Sequence, residues 1–522
     1  MTISAAGWGL IGFLVFFIAV AFAVKGKISN LSDFWIVGRK GKWYFFACTL
    51  AAGYVSTWTF IAGVGTAWSW GPTPTILFYT SSLTFGWIIV TMLIGLRLRK
   101  LGYMTITEFY KDRFGGGNSN SLICAIGLAL AGTTFFYLLI QIKGGAIILA
   151  TVFNINLNLC IAVMIIVQIL ALWMAGMWAV VVTDMFTNVI FFIVAISVLP
   201  VTIMSVGGMD VAFEAVSEAG IWSATGNSGL DMTYFVGYAL AWLAIIGGSP
   251  HLVNLTLILE ERQSVFKGTM VAFVLVVVLS LGLFLSGGVL NAVFPPGSVG
   301  VLDSITPLAA VNVWPVWLGI LILGGAMAAA YTTATSQVMT TSLGVVDIFR
   351  FLKKQRPDDK TLIRYTKITA LIVLLVVGLV ASTDLWIMAI ASSLAGVISS
   401  LGIFPTLLVS IYWKGVTKKA AAIMLWASVP IGLFMIICNA VLGWFAPFPT
   451  VYSYPIGFGG LILLSLLTKA GEEEKLHAIR FKEAAFVPEK ITFALSDKVI
   501  LFTTISVAAV AFFIITNVVG LL

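Results

Sequence analysis

Fourteen apolar runs follow one another along the chain, at 6–24, 43–70, 75–96, 119–151, 156–176, 178–206, 232–256, 268–292, 314–344, 366–383, 385–412, 420–445, 454–468 and 499–520. Most come close to or exceed the ~20 residues that an α-helix needs to cross a bilayer. Charged residues make up 10% of the 522, against about 25% in a soluble domain. A water-soluble fold is excluded. The connections are too short for a separate soluble domain, which also excludes a large enzyme module. The expected fold class is an all-α integral membrane protein of about 14 transmembrane helices.

The net charge of +8 reflects topology rather than nucleic-acid binding. Of the 29 Lys and Arg, 28 fall in alternate connections, 25–42, 97–113, 257–267, 345–367, 413–419 and 469–498. The opposite connections carry no Lys or Arg but hold Asp210, Glu214, Glu218, Asp231, Asp303 and Asp384. The positive-inside rule places the basic connections in the cytoplasm, and an even number of spans then puts both termini outside. Basic residues at the cytoplasmic boundary also meet anionic lipid. The expected location is the cell (inner or plasma) membrane. Lacking a basic stretch before the first run, the N-terminus reads as an uncleaved helix. The four cysteines lie inside spans at no metal-like spacing and read as packing residues.

Two charges sit inside apolar runs, Lys143 and Asp184. An ionisable group at that depth costs at least ~2.5 kcal/mol and is a functional candidate by default. Lys143 falls toward the outer end of its run. There it reads as a partner for a substrate carboxylate, as a side chain reaching the outer headgroups, or as a partner of an acid such as Asp231.

The chain also repeats itself. Residues 43–206 and 232–412 each hold five spans, in opposite orientations, which is the pattern of an inverted repeat. The first span of each unit is interrupted, by Ala51-Ala52-Gly53-Tyr54-Val55-Ser56-Thr57 and by Gly247-Gly248-Ser249-Pro250-His251. Paired interruptions point to the binding site of a secondary transporter. The remaining segments are 1–42 (an extra helix and a loop), 207–231 (an outer loop) and 413–522 (extra helices).

The ninth run contains Ala329-Ala330-Tyr331-Thr332-Thr333-Ala334-Thr335-Ser336-Gln337. Thr332, Thr335 and Ser336 share a helix face. Hydroxyl and carbonyl oxygens without thiols or clustered imidazoles suit a hard alkali cation. Alternatively, such hydroxyls back-bond to their own helix or join helices.

These residues match a family. The chain resembles the sodium:solute symporters, which include sodium-coupled proline, pantothenate, monocarboxylate and sugar transporters. The resemblance covers about 5–520. It rests on Gly38-Arg39, the broken helix at 50–66, the run Thr105 to Phe114 (TITEFYKDRF), Gly144-Gly145, Gly176 to Val180 with Thr183-Asp184, Pro250-His251, residues 329–337, and Phe404-Pro405 with Tyr412-Trp413-Lys414. It implies the leucine-transporter-type fold, with ten core helices in two inverted repeats and Na+ as the coupling ion.

By that resemblance a main sodium site falls on the carbonyls of Ala52, Val55 and Ala329 and the hydroxyls of Thr332 and Thr333. A second sodium position falls on Asp184, Thr335 and Ser336. Solute-contacting positions are Thr57, Trp58, Thr59, Gln141, Lys143 and Trp242. The chain departs from family patterns at Tyr54, where some proline-type members carry an acid, and at Thr187 and Leu255, where Gln and Arg are frequent.

The expected function is sodium-coupled import of a small organic carboxylate or zwitterion, nearest to the pantothenate and monocarboxylate branches. A solute sensor of the same fold and a proton-coupled transporter are the alternatives. An enzyme is not expected, since there is no HExxH and the two histidines, His251 and His477, are far apart in sequence. The expected partners are solute, sodium and lipid, without nucleic acid; a monomer is compatible with the sequence, which does not fix the oligomeric state.

Overall fold

The computed structural model describes residues 5–115, 120–261, 264–352, 357–383 and 388–486. Among them, twelve helices are long and apolar enough to cross a membrane, and a bent pair supplies a thirteenth crossing. In chain order they are α1 (Ala5–Lys27), α2 (the pair Trp43–Tyr54 and Trp58–Trp70), α3 (Pro72–Leu101), α4 (Asn120–Phe153), α5 (Leu157–Met174), α6 (Gly176–Ser205), α7 (Met232–Leu257), α8 (Ser264–Ala292), α9 (Val316–Leu352), α10 (Asp359–Ala381), α11 (Ala391–Tyr412), α12 (Lys418–Leu442) and α13 (Thr450–Leu467). Each matches one predicted run. The fourteenth, 499–520, and the acid Asp384 lie outside the described residues. Part of the charged linker 469–498 forms a helix, Glu472–Ala485, packed on the short helix Ile106–Arg113.

Helices dominate because a lipid core offers backbone N–H and C=O groups no partner but each other. Where a helix is interrupted, side chains must take over. In α2 the backbone leaves the helix at Val55 (φ −64°, ψ 112°). The Ser56 hydroxyl then accepts from the Trp58 N–H at 3.2 Å, and the Thr59 hydroxyl accepts from the Ser56 N–H at 3.3 Å. The two halves of α2 are bent by 57°. In α7 the chain becomes extended at Ser249 (φ −67°, ψ 113°), and the helix restarts at Pro250. Proline suits the first helical position because it has no N–H to lose. Gly248 is required there for space, since a Cβ would lie 2.6 Å from that of Phe404. Sets α2–α6 and α7–α11 therefore both open on an interrupted helix.

The other sharp device is Gly176, which separates α5 from α6 at φ 49°, ψ −134°. A side chain there would be strained, and its Cβ would meet the Phe34 carbonyl at 2.8 Å. Burial sorts the helices into shells. The most apolar stretches of α7 and α9 are 78% buried, against 28% for α10 and α13. Leu159, Ile166, Leu170 and Trp173 of α5 face outward along one stripe, as lipid-contacting residues should. The inner helices α2, α4, α7 and α9 meet where the interruptions lie.

Candidate functional site

The break in α2 strips its last carbonyls of their helical donors. The structure hands two of them to side chains of other helices. The Thr333 hydroxyl donates to the Ala52 carbonyl at 3.1 Å. His251 Nε2 donates to the Gly53 carbonyl at 3.2 Å, and its Nδ1 shares a hydrogen bond of 2.7 Å with the Ser249 hydroxyl. One imidazole thereby joins the two interruptions.

The hydroxyl run on α9 fans out around this point. Thr332 donates back to the Ala328 carbonyl at 3.1 Å. Ala329, Thr332 and Thr333 are fully or almost fully buried, as are Ala52 and Val55. Asp184 on α6 is completely buried and faces the hydroxyls of Thr332 and Thr49. Neither of its oxygens has a hydrogen-bond partner among the described residues. Asn188, one turn on, donates to the Asp184 and Cys48 carbonyls at 2.7 and 2.8 Å, fixing α6 against α2.

Thr335 and Ser336 are placed differently from Thr332. The Thr335 hydroxyl meets Gln168 Oε1 at 2.7 Å and the Tyr331 carbonyl at 2.8 Å. Ser336 donates to the Thr333 carbonyl at 2.9 Å. The nearest hydroxyls to Asp184 are thus Thr332 and Thr49. Thr49 went unread because one threonine in an apolar helix carries no periodic signal.

On the far side of the α2 break lies an aromatic box. Trp58 stacks on Tyr79 (5.7 Å between centroids, 8° between planes) and lies 4.6 Å from Trp242. Tyr137 closes it, 6.2 Å from Trp242 and 5.9 Å from His251. The hydroxyls of Thr59 and Tyr79 are 3.0 Å apart. Gln141 is held in one orientation, because its Oε1 accepts from both the N–H (3.1 Å) and the hydroxyl (2.8 Å) of Thr57. Its Nε2, the Trp242 Nε1 and the Tyr54 and Tyr238 hydroxyls are buried without hydrogen-bond partners among the described residues. Thr57, Trp58, Thr59, Gln141 and Trp242 are therefore brought together. Tyr79 and Tyr137 join them, and sequence reading cannot tell such aromatics from packing.

Lys143 is not in this box. Its ammonium donates to the Thr383 carbonyl, at the end of α10, at 3.2 Å. The facing acid is Asp303 rather than Asp231. Burial pushes the Asp303 carboxyl up to about 6, and the Lys143 charge opposes that rise. A carboxyl raised on folding favours the folded state most below its unfolded value near 4, and that stability is lost as pH climbs to about 6. Asp303→Asn is expected to raise the melting temperature at pH 7, by an amount worth up to about 3 kcal/mol. The difference should vanish near pH 4; equal wild-type and variant melting curves at both pH values would refute it.

A helical membrane bundle whose two five-helix sets each open on an interrupted helix has the architecture of a secondary transporter. The family model for the sodium:solute symporter family matches residues 34–428. The sodium/pantothenate symporter of Haemophilus influenzae is 23% identical over 364 residues, 66% of this chain and 72% of the relative. The sodium/proline symporter of Escherichia coli K12 is 22% identical over 478 residues, 87% of this chain and 91% of the relative. Among solved structures, the substrate-bound, outward-open state of a Na+-coupled sialic acid symporter superposes with a TM-score of 0.70 at 17% identity, covering 90% of this chain and 99% of that one. The chain belongs to the sodium:solute symporter family. It is a multi-pass membrane transporter of the leucine-transporter-type fold, not an enzyme, and its coupling ion is Na+.

Proposed function

We propose that this protein imports a small organic carboxylate or zwitterion together with sodium, by alternating access. The contact between the Ala52 carbonyl and the Thr333 hydroxyl, beside the buried carboxylate of Asp184, carries the reading. It puts hard oxygen donors from an unwound backbone and from α9 within one small region. The main sodium site is assigned to the carbonyls of Ala52, Val55 and Ala329 and the hydroxyls of Thr332 and Thr333. A second sodium belongs at Asp184, with Thr332 and Thr49 nearest. Thr335 and Ser336 donate to Gln168 and the Thr333 carbonyl and keep oxygen lone pairs free to complete it.

For the solute, Gln141 Nε2 and Trp242 Nε1 are buried donors that suit carboxylate oxygens, and the aromatic faces suit its apolar part. Lys143, which faces Asp303 and the Thr383 carbonyl, is given no solute contact in this reading. The relatives named for pantothenate, proline and sialic acid all handle carboxylates, which favours the same class here. The basic connections lie in the cytoplasm. The units 43–206 and 232–412 supply the two bundles that rock around the site. One sodium crossing ~100 mV contributes about 2.3 kcal/mol, and a tenfold gradient adds ~1.4 kcal/mol. Together these sustain a solute gradient of several hundredfold.

The test begins without a solute. The melting temperature of the purified protein should rise with sodium but not with potassium or choline at equal ionic strength. A ligand at 100 times its Kd stabilises by about 2.7 kcal/mol. Thr332→Ala should remove most of that rise. A flat sodium response in wild type overturns the reading and favours proton coupling. A panel of proline, pantothenate and short monocarboxylates, added in sodium, then identifies the solute class by a further rise.

A further inference from the structure

The polar face of α9 does not stop at the midplane. Ser336, Thr340 and Asp347 continue it toward the basic connections, spaced four and seven residues apart and so on one side of the helix. Thr340 donates to the Ser336 carbonyl at 2.9 Å and accepts from Asn254 Nδ2 at 3.1 Å. From Thr333 to Asp347 the stripe runs about 21 Å.

Its lower end lines a small cavity of about 10 Å³, bounded by Thr105, Thr107, Asn254, Thr340 and Asp347 among others. That is roughly room for one water molecule or one unhydrated sodium ion. Asp347 Oδ2, Asn254 Oδ1 and the Thr107 hydroxyl are buried and have no hydrogen-bond partner among the described residues. The carboxylate and the amide oxygen are pure acceptors there, so they cannot satisfy each other.

The local charge is unbalanced. Arg350 Nη2 binds Glu108 Oε1 at 2.7 Å, whereas its Nη1 is 3.4 Å from Asp347 Oδ1. Glu108 Oε2 accepts the Met104 N–H at 2.6 Å. Two carboxylates against one guanidinium leave one net negative charge, and the weakly held, fully buried Asp347 is the group least compensated. Arg39 lines the wider vestibule beyond, a space of about 470 Å³ that Glu108 and Arg350 also line, and it donates to the Gly102 and Tyr103 carbonyls. The Glu108–Arg350 pair is thus the partition between the buried cavity and the open vestibule.

We propose that Asp347, Asn254 and Thr107 form an alkali-cation site on the cytoplasmic side, which sodium occupies after leaving the midplane and before the Glu108–Arg350 partition opens. The site supplies a carboxylate, an amide oxygen and a hydroxyl, a hard-oxygen set suited to sodium. It deepens the sodium-symport reading and rests on it.

Equilibrium binding of radioactive sodium to the purified full-length protein tests it. In Thr332→Ala/Thr333→Ala/Asp184→Asn, which cripples both midplane positions, a weaker saturable binding should remain. Adding Asp347→Asn should abolish it. Adding Asn254→Asp instead, which places a second charge in the cavity, should tighten it at least about tenfold. Residual binding that is unchanged by Asp347→Asn overturns the inference. So does residual affinity that ignores Asn254→Asp, which decides the matter if Asp347→Asn does not fold. Wild type that binds no sodium overturns this site and the symport reading together, whereas normal wild-type binding with either of the other failures overturns this site alone.

Discussion

Gln141→Glu is expected to abolish uptake of the proposed carboxylate solute while leaving sodium-induced stabilisation in place. The glutamine amide is oriented by two donors from Thr57, both aimed at Oε1. A glutamate keeps that acceptor but turns the opposite atom from a donor into an anionic oxygen. The change removes a charge-assisted hydrogen bond of about 1.5–3 kcal/mol and sets like charges together at a cost of several kcal/mol. Uptake measured as kcat/KM should fall at least about a hundredfold. Gln141→Ala, which loses the donor without adding charge, should fall less. Uptake within about threefold of wild type in Gln141→Glu would remove Gln141 from the solute site.

Asp184→Asn should give a crossed pattern. The carboxylate is fully buried with neither oxygen partnered among the described residues. An uncompensated charge in such a place costs about 3–5 kcal/mol. Without sodium, the neutral amide should therefore melt higher than wild type. With saturating sodium the order should reverse, because wild type gains the ion and the variant gains less. A variant that melts below wild type in sodium-free buffer, with an unchanged sodium titration, would assign Asp184 to packing. Transport driven by a sodium gradient reports the same loss independently.

Much of this was written in the sequence, because lipid forces backbone satisfaction to be local and the exceptions announce themselves. The interruptions at Val55 and Gly248–Ser249 fall within the small, hydroxyl-bearing and Pro-containing stretches of 51–57 and 247–251. The chain's charges likewise sorted the connections before any helix was placed. What stayed hidden was direction. Residues two apart on a helix point to different sides, and Lys143 accordingly meets the Thr383 carbonyl while Gln141 meets Thr57. The split between Thr332 and Thr335 was less accessible, since it depends on Gln168 arriving from α5. Thr49 and Tyr79 had no signal at all, because hydroxyls and aromatics are ordinary tenants of a buried helix face.

His251 gives the assembly a mechanical property that neither interruption has alone. Its ring is a tie-rod only a few ångströms long, fastened at one end to the backbone of α2 and at the other to the restart of α7. Two hinges tied this way have one degree of freedom between them, not two. A force on one hinge is passed to the other through the ring. Coupling between the two hinges then follows from the linkage itself, through a single ring.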